Sequence, residues 1–219
     1  MNTKTALALV TAFATTALGF SASAKTVDKQ KFKGTQAATS FTVNEALTRA
    51  DGSSGSVFAS GSLLGSDSIS KETGTSKTTA NGVFVELDIY SNTCTGVNFG
   101  FGDGNIVDGY TPPNKKLNSA GLMGTASVQD FGTGNTIAVT IDLVIEGTGP
   151  LTASTSHSRT RTVQTPGGPI TITIDNSANS NRAGDVSGTL SIGGTEFDAT
   201  FSSATLSMNA NMEITVNKN

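Results

Sequence analysis

From Val83 to Tyr90 the side chains change character at every step: Val83, Val85, Leu87 and Ile89 are apolar, and Phe84, Glu86, Asp88 and Tyr90 fall between them. Ile137, Val139, Ile141, Leu143 and Ile145 repeat the pattern against Ala138, Thr140, Asp142, Val144 and Glu146. Ala204, Leu206, Met208, Ala210, Met212, Ile214 and Val216 carry it almost to the end of the chain. A period of two puts each set on its own face of a β-strand, so these segments read as half-buried strands with a wet outer side. A helix would scatter the same residues around its circumference. The chain is thereby constrained to an architecture built from alternating strand faces.

Turn chemistry separates the strands. Gly132-Thr133-Gly134-Asn135 tolerates positive φ, and Gly193-Gly194 between Val186–Ile192 and Glu196–Phe201 suits a tight primed hairpin. Pro166-Gly167-Gly168-Pro169 joins the polar stretch Leu151–Gln164 to Ile170, Ile172 and Ile174, predicting an exposed edge hairpin. Ser56–Leu64, Val97–Phe101 and Gly121–Phe131 add strands, Gly102–Asn105 reads as a turn, and Gly65–Asn81 and Asp175–Asn181 read as polar loops. Asn44–Ala50, closed by Asp51-Gly52, carries the helix signals. The long last strand is expected to lie centrally. About nine or ten short strands predict an all-β fold, a single antiparallel β-sandwich of jelly-roll type over residues 43–219, with at most one short helix near the N-terminus.

The first 24 residues follow a different logic. A lysine, the apolar run Ala6–Phe20 and the small-residue exit Ser21-Ala22-Ser23-Ala24 predict a signal peptide cleaved near Ala24. That apolar run is too short to span a bilayer. The mature protein is therefore expected in the periplasm or outside the cell. Residues 25–42, opening with the lysine-rich Lys25–Lys33, read as a partly flexible arm. Cys94 is the one cysteine, so packing rather than an intrachain disulfide must hold the fold. A lone cysteine is more often a small core residue than a reactive thiol. A net charge of -3 and a pI near 5.1 argue against nucleic acid as partner. No further stretch is long and apolar enough for an integral helical membrane protein, and with no Trp and two Tyr the chain lacks the aromatic girdles of an outer-membrane barrel.

Glu86 and Asp88 place two carboxylates on one strand face, the arrangement a retaining glycosidase uses. The run Glu86-Leu87-Asp88-Ile89-Tyr90-Ser91 partly resembles the acidic motif of jelly-roll laminarinases and lichenases. That resemblance implies a sandwich that cleaves glycans with Glu86 and Asp88. In the family a further glutamate follows the aspartate as general acid, whereas Tyr90, Ser91 and Asn92 fill that space here. Phe84 and Tyr90 share the acidic face, and Phe99, Phe101 and Tyr110 offer an aromatic ledge that fits a sugar ring, although such residues more often serve core packing.

Asp103, Asn105 and Asp108 sit in an oxygen-rich, glycine-punctuated run that suggests a structural Ca²⁺ loop, although Val107 and Asn114 stand where a helical calcium hand needs ligands. No other cofactor is indicated. His157, Arg159 and Arg161 alternate along one extended segment, a stripe suited to oxyanions or to guarding an edge strand. With His157 the sole histidine and no Gly-x-Ser-x-Gly elbow, a nucleophilic triad has little support.

Three classes of function follow. The first is a non-enzymatic exported domain acting through its surface as an adhesion or matrix-type component, with itself as partner. The second is a carbohydrate- or small-ligand-binding module, with an extracellular glycan as partner. The third is a glycan hydrolase.

Overall fold

The computed structural model describes residues 31–49, 51–71, 77–93, 99–156, 158–175, 178–210 and 213–218. Fourteen strands appear among them: β1 (Lys31–Thr48), β2 (Ser54–Lys71), β3 (Lys77–Asn92), β4 (Phe101–Val107), β5 (Tyr110–Thr111), β6 (Ser119–Asp130), β7 (Thr136–Gly147), β8 (Thr152–Thr155), β9 (Arg159–Thr165), β10 (Gly168–Asp175), β11 (Ala178–Ile192), β12 (Thr195–Phe197), β13 (Thr200–Ala210) and β14 (Glu213–Lys218). No helix occurs among the described residues. The all-β, antiparallel class read from the alternation is the fold observed.

The ladders also define the connectivity. β1, β2, β3, β4, β6, β7, β11 and β13 each pair antiparallel with the next in that order, and β13 returns to β1 with Lys33 opposite Ala210 and Thr42 opposite Thr200. The large sheet thus closes on itself as an up-and-down barrel of eight strands, a meander without the crossing connections of a jelly roll. A ring of that size is just wide enough to be filled by its own side chains. Phe41, Leu63, Leu87, Leu122, Ile141, Leu143, Ile145, Leu190 and Leu206 fill it. Outward positions are largely Ser, Thr, Asp and Glu, the reverse of the apolar-out pattern of a membrane-embedded barrel. Among the described residues no helix is long and apolar enough to cross a membrane.

Several segments differ from their sequence reading. Asn44–Thr48 continues β1 as strand rather than helix, because its backbone is held in the ladder to β2, with Leu47 opposite Gly55. At the turn that follows, Asp51 accepts hydrogen bonds from the Ser53 amide and hydroxyl and Gly52 takes φ 80°. The expected arm is strand from Lys31 onward, with Thr35 and Ala37 buried; residues 1–30, on which the expected signal peptide falls, lie outside the described residues. Gly65–Lys71 and Lys77–Asn81 form a hairpin instead of a loop, Lys71 facing Lys77. Ala178–Asn181 is likewise strand, paired with β8 and β13.

Gly102–Asn105 belongs to β4 rather than to a turn. Its glycines answer to close approach, since a Cβ on Gly102 would lie 2.0 Å from the Gln129 carbonyl oxygen of β6. The final strand is two: β13 lies within the barrel wall, as expected of a central strand, and β14 joins β10 and β9 in a separate three-stranded sheet. The hairpins expected at Gly193-Gly194, with φ 62° and 84°, and between β9 and β10 are both present.

One end of the barrel is closed by the loop from Pro112 to Asn118. Leu117, fully buried at φ 52°, plugs the interior, and Asn114 Oδ1 accepts the amides of Lys116 and Asn118. Arg182 pins the loop, donating from Nη1 to Asn118 Oδ1 at 3.0 Å and from Nε to the Gly149 carbonyl at 2.9 Å. Truncating the plug leaves a cavity that backbone so constrained cannot collapse. Leu117→Ala is expected to cost about 2–5 kcal/mol of unfolding free energy, measured as a lower urea midpoint at unchanged slope.

Candidate functional site

Outward positions are brought into rows by the ladders. Ser202 of β13, Ser40 of β1, Ser62 of β2, Glu86 of β3 and Asp103 of β4 are successive cross-strand partners. The next row runs Thr200, Thr42, Ser60, Asp88 and Phe101. Between them the wall forms an open trough of about 300 Å³ lined by Ser40, Thr42, Ser60, Ser62, Glu86, Asp88, Tyr90, Phe101 and Ser202, with two carboxylates and, among the described residues, no lysine or arginine.

Hydrogen bonds order its polar floor. Ser62 donates to Glu86 Oε2 at 2.7 Å, the Ser40 and Ser202 hydroxyls meet at 2.9 Å, and Ser60 Oγ lies 3.4 Å from Tyr90 Oη. Aromatic pairs stand at the rim: Tyr90 is tilted on Phe58 with centroids 5.1 Å apart, and Phe101 on Phe131 at 5.4 Å. Tyr90 is 61% exposed and Phe101 43%, an unusual cost for large aromatic surface facing water.

The carboxylate of Asp130 fixes the far end of this wall. It accepts the amides of Gly100 at 2.8 Å and Gly132 at 2.7 Å, with a weaker contact from Thr133, tying the entry to β4 to the turn after β6. These bonds, the one from Gly100 foremost, hold its carboxyl below the usual carboxylate range.

The structure thus gathers Glu86, Asp88, Tyr90 and Phe101 in one trough. Phe84 is half-buried on the same outer face, opposite Leu64 and Asn105. Phe99 and Tyr110 are 5% and 3% exposed and pack in the interior, so neither offers a face to a ligand at the surface. Asp103 and Asn105 alternate along strand β4, and Asp108 sits in the turn that follows with φ 56°, so the run is mainly strand rather than one ligand loop. Among the described residues no group of three or more His, Cys, Asp or Glu is placed to hold a metal ion. Arg159 and Arg161 are exposed on β9, far along the chain from the trough strands and opposite Ile174 and Ile172. His157 and Cys94 lie outside the described residues.

Sequence reasoning missed the serine side of the trough. The signal was present in β2, where Ser54, Ser56, Ser60, Ser62, Ser66, Ser68 and Ser70 all occupy even positions, one face of a single strand. It also missed Phe58 and Phe131, whose pairing with Tyr90 and Phe101 depends on strand register.

No family model, curated protein or solved structure matches the chain. Fold and site together define a closed antiparallel β-barrel with a polar outer wall and one acidic, aromatic-rimmed trough.

Because the Asp130 carboxyl is depressed in the folded state, its contribution is complete above its unfolded value of about 4 and is lost as pH falls through the lower folded value. Stability should therefore decline on acidification below about pH 4. Asp130→Asn is expected to be less stable at pH 7 and to show a smaller further drop between pH 5 and pH 3. Thermal melts across that range check it.

Proposed function

We propose that the protein is an exported, non-enzymatic domain that acts by binding, and that its outer trough takes a neutral or amino-bearing glycan. One observation carries the reading: Tyr90 and Phe101 hold exposed rings beside Glu86 and Asp88 over a serine-lined floor. Sugar rings present apolar C–H faces that stack on aromatic rings, while their hydroxyls donate to carboxylates. Trough lining without a cation suits a polyol or an amine and disfavours an acidic sugar. Binding is favoured over hydrolysis because Tyr90, Ser91 and Asn92 occupy the stretch where the resembled family carries its general acid, and because Glu86 is engaged by Ser62.

A panel of soluble glycans tested by thermal shift should give a saturable rise in melting temperature with at least one neutral or amino sugar polymer. Tyr90→Ala and Glu86→Gln, both on the outer face, should each weaken that binding about tenfold with the fold intact. A flat response across the panel overturns the reading, and release of reducing ends by wild-type protein overturns its non-enzymatic part.

A second reading rests on the three-stranded sheet. β9 and β14 stand at its two edges, and Ile170, Ile172 and Ile174 share a face with Val163 and Val216, on which Arg159 and Arg161 also stand. Open edges beside an isoleucine row favour strand-to-strand association, which suits an adhesion or matrix-type component built from copies of itself. Sedimentation velocity should then show mass rising with concentration, and Ile172→Lys should hold the protein monomeric. A wild type that stays monomeric throughout removes this reading.

A further inference from the structure

The interior face of the barrel changes character at the end closed by the Pro112–Asn118 loop. Along β1 the inward series runs Val43, Phe41, Thr39, Ala37 and then Thr35 and Lys33; along β2 it runs Leu63, Gly65 and then Asp67 and Ile69. The ladders set Thr35 between Met208 and Asp67, and Lys33 opposite Ile69. Of these polar positions Thr35 is buried, Asp67 half-buried and Lys33 exposed at the rim. These residues, with Pro112, Pro113, Asn114 and Lys115 of the loop, line an open mouth of about 320 Å³. Barrel mouths are a recurrent position for small-molecule sites, and this volume is at the compact end of their range.

A second observation points the same way. Thr35 is only 6% exposed and lines this cavity; its hydroxyl lies against that of buried Tyr110, and neither has a further hydrogen-bond partner among the described residues. Buried hydroxyls are nearly always satisfied, and two facing hydroxyls can satisfy only one proton between them: with Tyr110 donating to Thr35, the Thr35 proton still lacks an acceptor, and it is Thr35 that lines the cavity. Tyr110 is fixed from behind, its carbonyl accepting from Asn81 Nδ2 at 2.8 Å and its amide donating to Asn81 Oδ1 at 3.2 Å. Burial pushes its phenol up to about 12, so it remains a proton donor at any ordinary pH.

We infer that this mouth is a binding site for a compact amphipathic carboxylic acid, with its hydrocarbon body against Ile69, Met208, Pro112 and Pro113 and its carboxylate received by Lys33, Lys115 and the Thr35 hydroxyl. Two ammonium groups against the single Asp67 carboxylate leave the lining net positive, which selects an acid over an amine. The site lies on the inner side of the wall and owes nothing to the outer trough.

Calorimetric titration of the exported protein with sodium octanoate below its micellar concentration tests this, with octylamine and 1-octanol as controls. One saturable octanoate site is expected, octylamine should show none, and 1-octanol should bind at least tenfold more weakly than octanoate. Lys115→Gln should weaken octanoate about tenfold and leave 1-octanol unchanged. Thr35→Val, which keeps the side-chain shape, should weaken octanoate several-fold without lowering the melting temperature. The inference is overturned if octanoate does not bind, if octylamine binds as well as octanoate, or if both variants bind octanoate like wild type. A Thr35→Val protein that is merely more stable, with binding unchanged, would make the hydroxyl an unsatisfied structural group and overturn it too.

Discussion

Everything in this protein depends on the ladder between β1 and β13. It joins residues near opposite ends of the chain, Gly34 with Asn209 and Phe41 with Phe201, and converts a meander that would expose two long edges into a ring with none. Closing so long a loop costs conformational entropy before any contact compensates it. The compensation is collective: only when the ring is shut can the inward Val, Leu and Ile of eight strands meet across one interior and leave water together. The β4–β6 seam imposes the complementary demand, because β4 carries glycine at 102 and 104 where a side chain would strike the backbone of its neighbour.

Closure also separates two chemistries with one geometric rule. Successive residues of a strand face opposite sides, so β1 through β4 present an inner wall for packing and an outer wall free to vary. On the outer wall the ladders bring Ser202, Ser40, Ser62, Glu86 and Asp103 into one row and set Tyr90 and Phe101 at its margin. On the inner wall the same period persists past the end of the apolar core, where Thr35, Lys33 and Asp67 replace hydrophobes. Trough and mouth are thus the two faces of the same hairpins, one at mid-wall and one at the rim. The three-stranded sheet extends the logic, its isoleucines on one face and paired threonines on the other, with Thr160 meeting Thr173 and Thr162 meeting Thr171 at 3.3 Å.

Local signals were legible where they had a single physical reading. The alternation in β3 and β7, the Gly193-Gly194 turn and the Pro166-Gly167 hairpin all stand as written in the chain. They failed where one residue type serves two purposes. Glycines 102 and 104 read as a turn because turns use glycine, yet here they relieve a close approach between strands. Ala46 and Glu45 read as helix because both favour it, yet ladder pairing on β2 overrode that small preference. Phe99 and Tyr110 read as ledge or core, and burial decided for the core. Of the trough, Glu86, Asp88 and Tyr90 were visible as one strand face and Phe101 as a separate aromatic candidate. Their serine partners were not, because those lie on other strands.

What the amino-acid order settled alone was the period of two, and with it the all-β class, the composition of each strand face and most hairpin turns, since these depend on neighbours within a few residues. What required the tertiary structure was which face meets which: the return of β13 to β1, the register that sets Ser62 against Glu86, and the parity that turns Lys33 and Thr35 into the barrel mouth. The reason is that strand pairing is a contact between distant parts of the chain. Its partner and register are selected by the energy of the whole closed interior, and no single segment carries that information.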